Sequence, residues 1–152
     1  MTNQEIKSKL LSRCEEYIAS HRARINAVLG NIKSSLSDEE KSTVGDKHHT
    51  NRAMLQLERE NLSQQLIEVE KQEAILNKIS LNNINDIAHL GSLVITDHAN
   101  YFMSVSAGAV DIGNRTFYCI SLESPIGKLL LGKREGDVAT FNDKKIKILE
   151  IN

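Results

Sequence analysis

Residues 43–52 read TVGDKHHTNR and set one carboxylate, Asp46, beside two imidazoles, His48 and His49. An acid and two nitrogen donors can contribute to a metal site. Zinc, however, asks for three or four convergent ligands, which three residues in one turn do not supply. Asp46 has an equally direct duty as a helix N-cap, an interaction that contributes about 1 kcal/mol. Asp38, Glu39 and Glu40 lie close by and extend the acidic supply. A second cluster is Glu123-Ser124-Pro125. A serine followed by proline fits the cap and first residue of a short helix, which leaves the acid at 123 without a structural duty. The two cysteines, Cys14 and Cys119, stand far apart with no metal-type spacing. They read as reduced thiols, Cys14 packed in a helical seam and Cys119 in a strand core.

These groups need elements to hold them. Thr2-x-x-Glu5 reads as a capping box. Ile6, Leu10, Cys14, Tyr17, Ile18, Ile25, Val28, Leu29, Ile32 and Leu36 then recur in steps of three and four, the stripe of an amphipathic helix. Gly30 inside that stripe costs about 1 kcal/mol relative to alanine. SSLSDEEKSTVGD interrupts the pattern, and Ser37-x-x-Glu40 offers a second capping box for a short separate turn. The stripe resumes through Met54, Leu55, Leu62, Leu66, Val69, Leu76 and Ile79. Two such segments of roughly thirty residues, ~45 Å each, predict an antiparallel coiled-coil hairpin over 1–80 with its tip at about 36–49.

Asn-rich residues 81–89 read as a linker. Beyond it, 90–152 carries short β-type runs at 93–96, 101–105, 116–120, 138–141 and 146–151, with turn signals at Asp97–Asn100, Gly113-Asn114 and Asn142-Asp143. One short helix is expected at 125–131, ended by Gly132. The fold class expected is therefore α+β: a helical hairpin followed by a small antiparallel sheet domain with one helix.

Composition bounds the partners. With 26% charged and 40% hydrophobic residues and a net charge of −1, the chain reads as folded. The near-neutral balance argues against bulk attraction to nucleic acid or anionic membrane. No apolar signal core or spanning stretch is present, so a cytoplasmic protein without a membrane partner is expected.

The segment SLESPIGKLLLGKREGDVATF, 121–141, is the most specific text in the chain. Its Ser124-Pro125-Ile126-Gly127, Leu130-Leu131-Gly132-Lys133 and Gly136-Asp137, placed after a helical hairpin, resemble the Gre family of bacterial transcript-cleavage factors, of GreA/GreB type. The resemblance implies an FKBP-like sheet domain that docks on the rim of the RNA polymerase secondary channel, and a coiled coil that enters the channel. On this footing Glu123, Ser124 and Pro125 belong to the docking surface. The partner is core RNA polymerase, with the RNA 3′ end met only inside that complex and no sequence-specific nucleic-acid contact. The chain would have no enzymatic activity and no cofactor of its own. Its tip would share the polymerase's Mg²⁺ and stimulate hydrolysis of backtracked RNA.

The family's tip motif is Gly-Asp-x-x-Glu-Asn. Here Gly45-Asp46 matches its first half, His49 stands in place of the Glu, and Thr50 in place of the Asn. Mg²⁺ prefers oxygen ligands, and imidazole is a poor substitute. Asp46 is thus the one tip residue carried over as a metal ligand. The change at His49 favours a divergent paralogue that occupies the channel and modulates elongation over one that stimulates cleavage. Two other classes stay open. A coiled-coil adaptor without polymerase contact fits the composition. A peptidyl-prolyl isomerase would need an aromatic-lined proline pocket, for which only Tyr101, Phe102, Phe117, Tyr118 and Phe141 are at hand.

Overall fold

The computed structural model describes the backbone of residues 1–41, 45–83 and 85–152, and the side chains within these ranges except those of 39–41 and 45–49. Two long helices come first, α1 (Asn3–Lys41) and α2 (Gly45–Asn77). Six strands and one short helix follow: β1 (Leu93–Thr96), β2 (Asn100–Ser104), β3 (Gly108–Ile112), β4 (Arg115–Ser121), α3 (Pro125–Leu130), β5 (Val138–Phe141) and β6 (Lys144–Ile151). The α+β class and the order of elements agree with expectation. By contacts the chain divides into two compact units, one of Met1–Tyr17 with Glu73–Asn152, the other of Ile18–Gln72.

The second unit is a helical pair. Ile18, Ile25, Ile32 and Leu36 of α1 are buried, as is Val69 of α2, while Leu55, Leu62 and Leu66 are half-buried. Seven-residue steps (18, 25, 32 and 55, 62, 69) mark a narrow two-helix seam. Arg22 and Glu70 approach to 3.9 Å across its rim, which fits an antiparallel arrangement. The short separate turn expected from Ser37 does not form, because α1 continues without a break through Lys41. The buried Leu36 extends the stripe one turn past Ile32. Asp38, Glu39, Glu40 and Lys41 then follow, of which Glu and Lys are good helix formers.

The first unit is built on a sheet of order β3-β4-β2-β1-β6-β5. The sheet is mostly antiparallel, but β2 and β4 run parallel, with Phe102 opposite Cys119 and Ser104 opposite Ser121. Strand β3 was not among the runs expected from sequence; it pairs antiparallel with β4. Alternation sorts the side chains. One face carries Phe102, Ser104, Phe117 and Cys119, all buried, and the first turns of α1, in which Ile6, Leu10 and Cys14 are buried, reach it at Cys14. Hydrogen bonds tie that contact: Cys14 Sγ lies 3.4 Å from Ser104 Oγ, and Asn3 Nδ2 donates to Glu150 Oε1 at 3.2 Å. Cys14 is therefore seated on the sheet. Met103, Ile120, Val94, Ile148 and Ile151 point to the other face and form a core with Leu130 of α3 and Ala88.

The Asn-rich segment is stitched to the sheet unit. Ala88 N donates to Lys133 O, and Gly132 N donates to Ala88 O. The β5–β6 hairpin turns on Asn142 and Asp143, at φ 49° and 65°. Two consecutive positive φ values are what a two-residue turn of this hand requires, and Asn and Asp tolerate them.

Candidate functional site

Ser124, at φ −66° and ψ 157°, caps α3, and Gly127 N donates to its Oγ at 3.1 Å. The same hydroxyl donates to Ser121 O at 2.6 Å, and Lys128 N donates to Ser124 O at 2.8 Å. Pro125 follows at the first helical position, where no N–H is missed. Ile126 packs against the core. Gly127 has a steric reason: a Cβ there would overlap the Ser121 carbonyl oxygen. The helix thus sits directly on the end of β4.

Its exit is equally specified. Leu131 N donates to Gly127 O at 3.0 Å, and Gly132 takes φ +82°. Gly136, at φ +86°, donates to Ile148 O at 2.8 Å, while Arg134 N donates to Asp137 Oδ2 at 2.8 Å. Backbone geometry therefore accounts for Ser124, Gly127, Gly132, Gly136 and Asp137. It does not account for one neighbour, Glu123. The backbone N–H of Glu123 donates to Ser121 Oγ at 3.1 Å, but its side chain is exposed, as is Pro125. The structure brings all three expected loop residues together, Ser124 turned inward and Glu123 and Pro125 outward, on a rigid base.

Sequence reasoning gave no surface role to two apolar residues of the same unit, Leu131 and Tyr118, which remain 45% and 42% exposed. A signal for the first was available. In Leu129-Leu130-Leu131 three consecutive residues cannot all face inward from one helix end, and only Leu130 is fully buried. Tyr118 lies against Tyr101, with ring centroids 6.2 Å apart. Burial and the neighbouring Tyr118 push the Tyr101 hydroxyl above its usual range.

The tip is a different matter. Helix α2 begins at Gly45, so Asp46 and His49 fall in its first turns. Their side chains lie outside the described residues, and so does the expected metal contact of Asp46. Among the described residues no group of three or more His, Cys, Asp or Glu is placed to hold a metal ion, and no helix is long and apolar enough to cross a membrane.

Residues 105–152 match the family model described as transcription elongation factor, GreA/GreB, C-terminal. This stretch contains β3 to β6, α3 and the whole cap loop. Comparison with the curated proteins finds no match. Among solved structures, the GreA factor homolog 1 (Gfh1) protein of Thermus thermophilus is similar at 20% identity, over 90% of this chain and 93% of that one, with a TM-score of 0.35. A second structure, of the transcription factor Gfh1, is similar at 21% identity over 90% and 91% of the two chains, with a TM-score of 0.34.

Proposed function

We propose that this protein is a divergent Gre-type factor: it binds core RNA polymerase at the secondary channel, acts in the cytoplasm and modulates elongation without catalysing a reaction itself. One observation carries the reading. The GreA/GreB C-terminal match covers the loop in which Ser124 and Gly127 are spent on holding α3 to β4, while Glu123 and Pro125 are presented to solvent. A rigid loop with an outward acid and proline loses little conformational freedom on binding. In this reading Glu123 and Pro125 contact the polymerase and Ser124 positions them.

The donor set at the tip separates two modes of action. Asp46 brings one carboxylate, and His49 brings a nitrogen ligand that suits Mg²⁺ poorly. That set does not fit a shared Mg²⁺ site, so the mode proposed is occupancy of the channel by the hairpin, with no step through a metal. An isomerase is disfavoured by burial: Phe102 and Phe117 are fully enclosed in the sheet core and cannot line a proline pocket.

Retention of core RNA polymerase on the immobilised full chain tests the partner. Wild type should retain it, and the Glu123→Lys, Pro125→Ala double variant should weaken retention by about tenfold or more. No retention by folded wild type would leave the adaptor reading in its place. A gel assay on backtracked complexes tests the mode. Altered elongation with RNA length unchanged is expected. Rapid RNA shortening that Asp46→Ala abolishes would show that the tip acts through the metal after all.

A further inference from the structure

Cys14 and Cys119 come from opposite ends of the chain, yet the fold seats them at one place. Cys14 is fully buried on α1 and lies 3.4 Å from Ser104 Oγ of β2. Cys119 is buried on β4, whose parallel register with β2 sets it opposite Phe102. Ser104 lies two residues beyond Phe102, so Ser104 and Cys119 share a face and are diagonal neighbours, ~7–8 Å apart across the two strands. Cys14 therefore stands over a position flanked by Cys119. Neither thiol is needed for capping, docking or the tip, and both are free.

We propose that Cys14 and Cys119 form a redox clasp: oxidation by a peroxide joins them in a reversible disulfide that ties the first turns of α1 to β4. The proposal is independent of any polymerase partner. The two thiols are not equivalent. A hydrogen bond from Cys119, outweighing burial, holds the Cys14 thiol below its ordinary range, and Ser104 adds to this. Cys119 is pushed up by its bond to Cys14 and by burial. With the Ser104 hydroxyl 3.4 Å from its sulfur to stabilise a thiolate, Cys14 is assigned as the attacking sulfur.

The steps balance. Cys14 loses its proton, and its thiolate attacks one peroxide oxygen. The O–O bond breaks, leaving Cys14 as a sulfenic acid, and the departing hydroxide takes up the proton as water. The Cys119 sulfur then attacks the Cys14 sulfur, the S–O bond breaks, and the hydroxyl leaves with the Cys119 proton as a second water. Each sulfur gives up one electron, and the peroxide takes both. Because both thiols are buried, oxidation proceeds at the rate at which α1 opens locally from the sheet. A reductant thiol reverses it by exchange.

The test uses the full wild-type chain treated with hydrogen peroxide, then unfolded, alkylated and mapped by mass spectrometry. The expected product is an intramolecular link between the Cys14 and Cys119 peptides, lighter by two hydrogens and undone by dithiothreitol. Closing a loop of about a hundred residues should raise the thermal midpoint by on the order of 10 °C. Recovery of both thiols as alkylated cysteines after prolonged treatment would overturn the proposal. So would sulfinic acid at either position, or disulfides only between chains. In Cys119→Ser the sulfenic acid at Cys14 has no partner and should be trapped by dimedone; a folded variant left unlabelled at Cys14 would remove the assigned roles. The wild-type map decides the matter whether or not that variant folds.

Discussion

The sheet unit and the helical pair are stabilised in different ways. In the sheet unit, side chains are enclosed from both faces: Phe102 and Phe117 on one side, Met103 and Leu130 on the other, all without exposure. Loop backbones there are also committed, as in the Ser121–Ser124–Gly127 bonds and the reciprocal pair between Leu93 and Asn152. The helical pair buries one stripe, and residues such as Met54 and Leu57 stay 65% and 60% exposed. Shape in the first unit rests on non-local contacts that admit few substitutes. Shape in the second rests on a repeated period that tolerates many.

Gly127→Ala should be the most damaging single change. The added methyl meets a backbone oxygen, which cannot rotate away, so α3 must lift from β4. A loss of at least about 4 kcal/mol is expected, within the exceptional range for point mutants, read as a fall in the urea midpoint. A loss under ~1 kcal/mol would mean that the close approach of α3 to β4 is not rigid.

Next comes a matched pair. Phe117→Ala empties a site closed on all sides and should cost about 3–5 kcal/mol. Ile25→Ala, although Ile25 is only 3% exposed, lies in a two-helix seam that can close up. It should cost about 2 kcal/mol, the lower end of the range for such truncations. Urea denaturation of both variants checks the contrast. Equal losses would erase the distinction drawn between the two units.

The same distinction governs what could be read in advance. The stripe Ile18, Ile25, Ile32 announces α1 because periodicity is local. The end of α1 is harder to read, because SSLSDEEK has the composition of a turn, whereas buried Leu36 carries the helix onward. Strand β3, GAVDI, was missed because it has one buried residue, Val110, and owes its existence to pairing with β4. The parallel β2–β4 pairing was hidden for a related reason: turn residues identify partners that are adjacent in sequence, and β2 and β4 are not. In the loop, Ser124 and Pro125 were legible as a cap. The need for glycine at 127 was not, since the obstructing atom belongs to Ser121. Cys14 beside Ser104 joins residues that only the tertiary fold brings together.

Lys7 sets a smaller test inside the sheet unit. It is 2% exposed, and burial lowers its pKa from the usual 10.5. For a lysine whose folded value is depressed, the unfolded chain binds the proton more readily. The folded state therefore carries a penalty below the folded pKa, which is relieved as pH rises from that value towards 10.5. Lys7→Met should stabilise the protein at neutral pH by on the order of 1 kcal/mol. That advantage should shrink on approaching the upper end of the window. Denaturation midpoints of both proteins against pH check it, and an advantage that grows with pH would reverse the sign.

The smallest effect is expected on the rim of the helical pair. Arg22 and Glu70 are 3.9 Å apart, with side chains 34% and 57% exposed. Water and salt screen such a pair, and holding two long side chains in place costs entropy, so Glu70→Ala should shift stability by no more than ~0.5 kcal/mol. Set beside Ile25→Ala in the same unit, it asks whether the seam or the rim holds the helices together. A loss from Glu70→Ala matching that from Ile25→Ala, and vanishing at high salt, would assign the pairing to charge. The buried seven-residue stripe argues for the opposite outcome, because apolar burial contributes about 1.5–3 kcal/mol per Ile or Leu whatever the ionic strength of ordinary buffers.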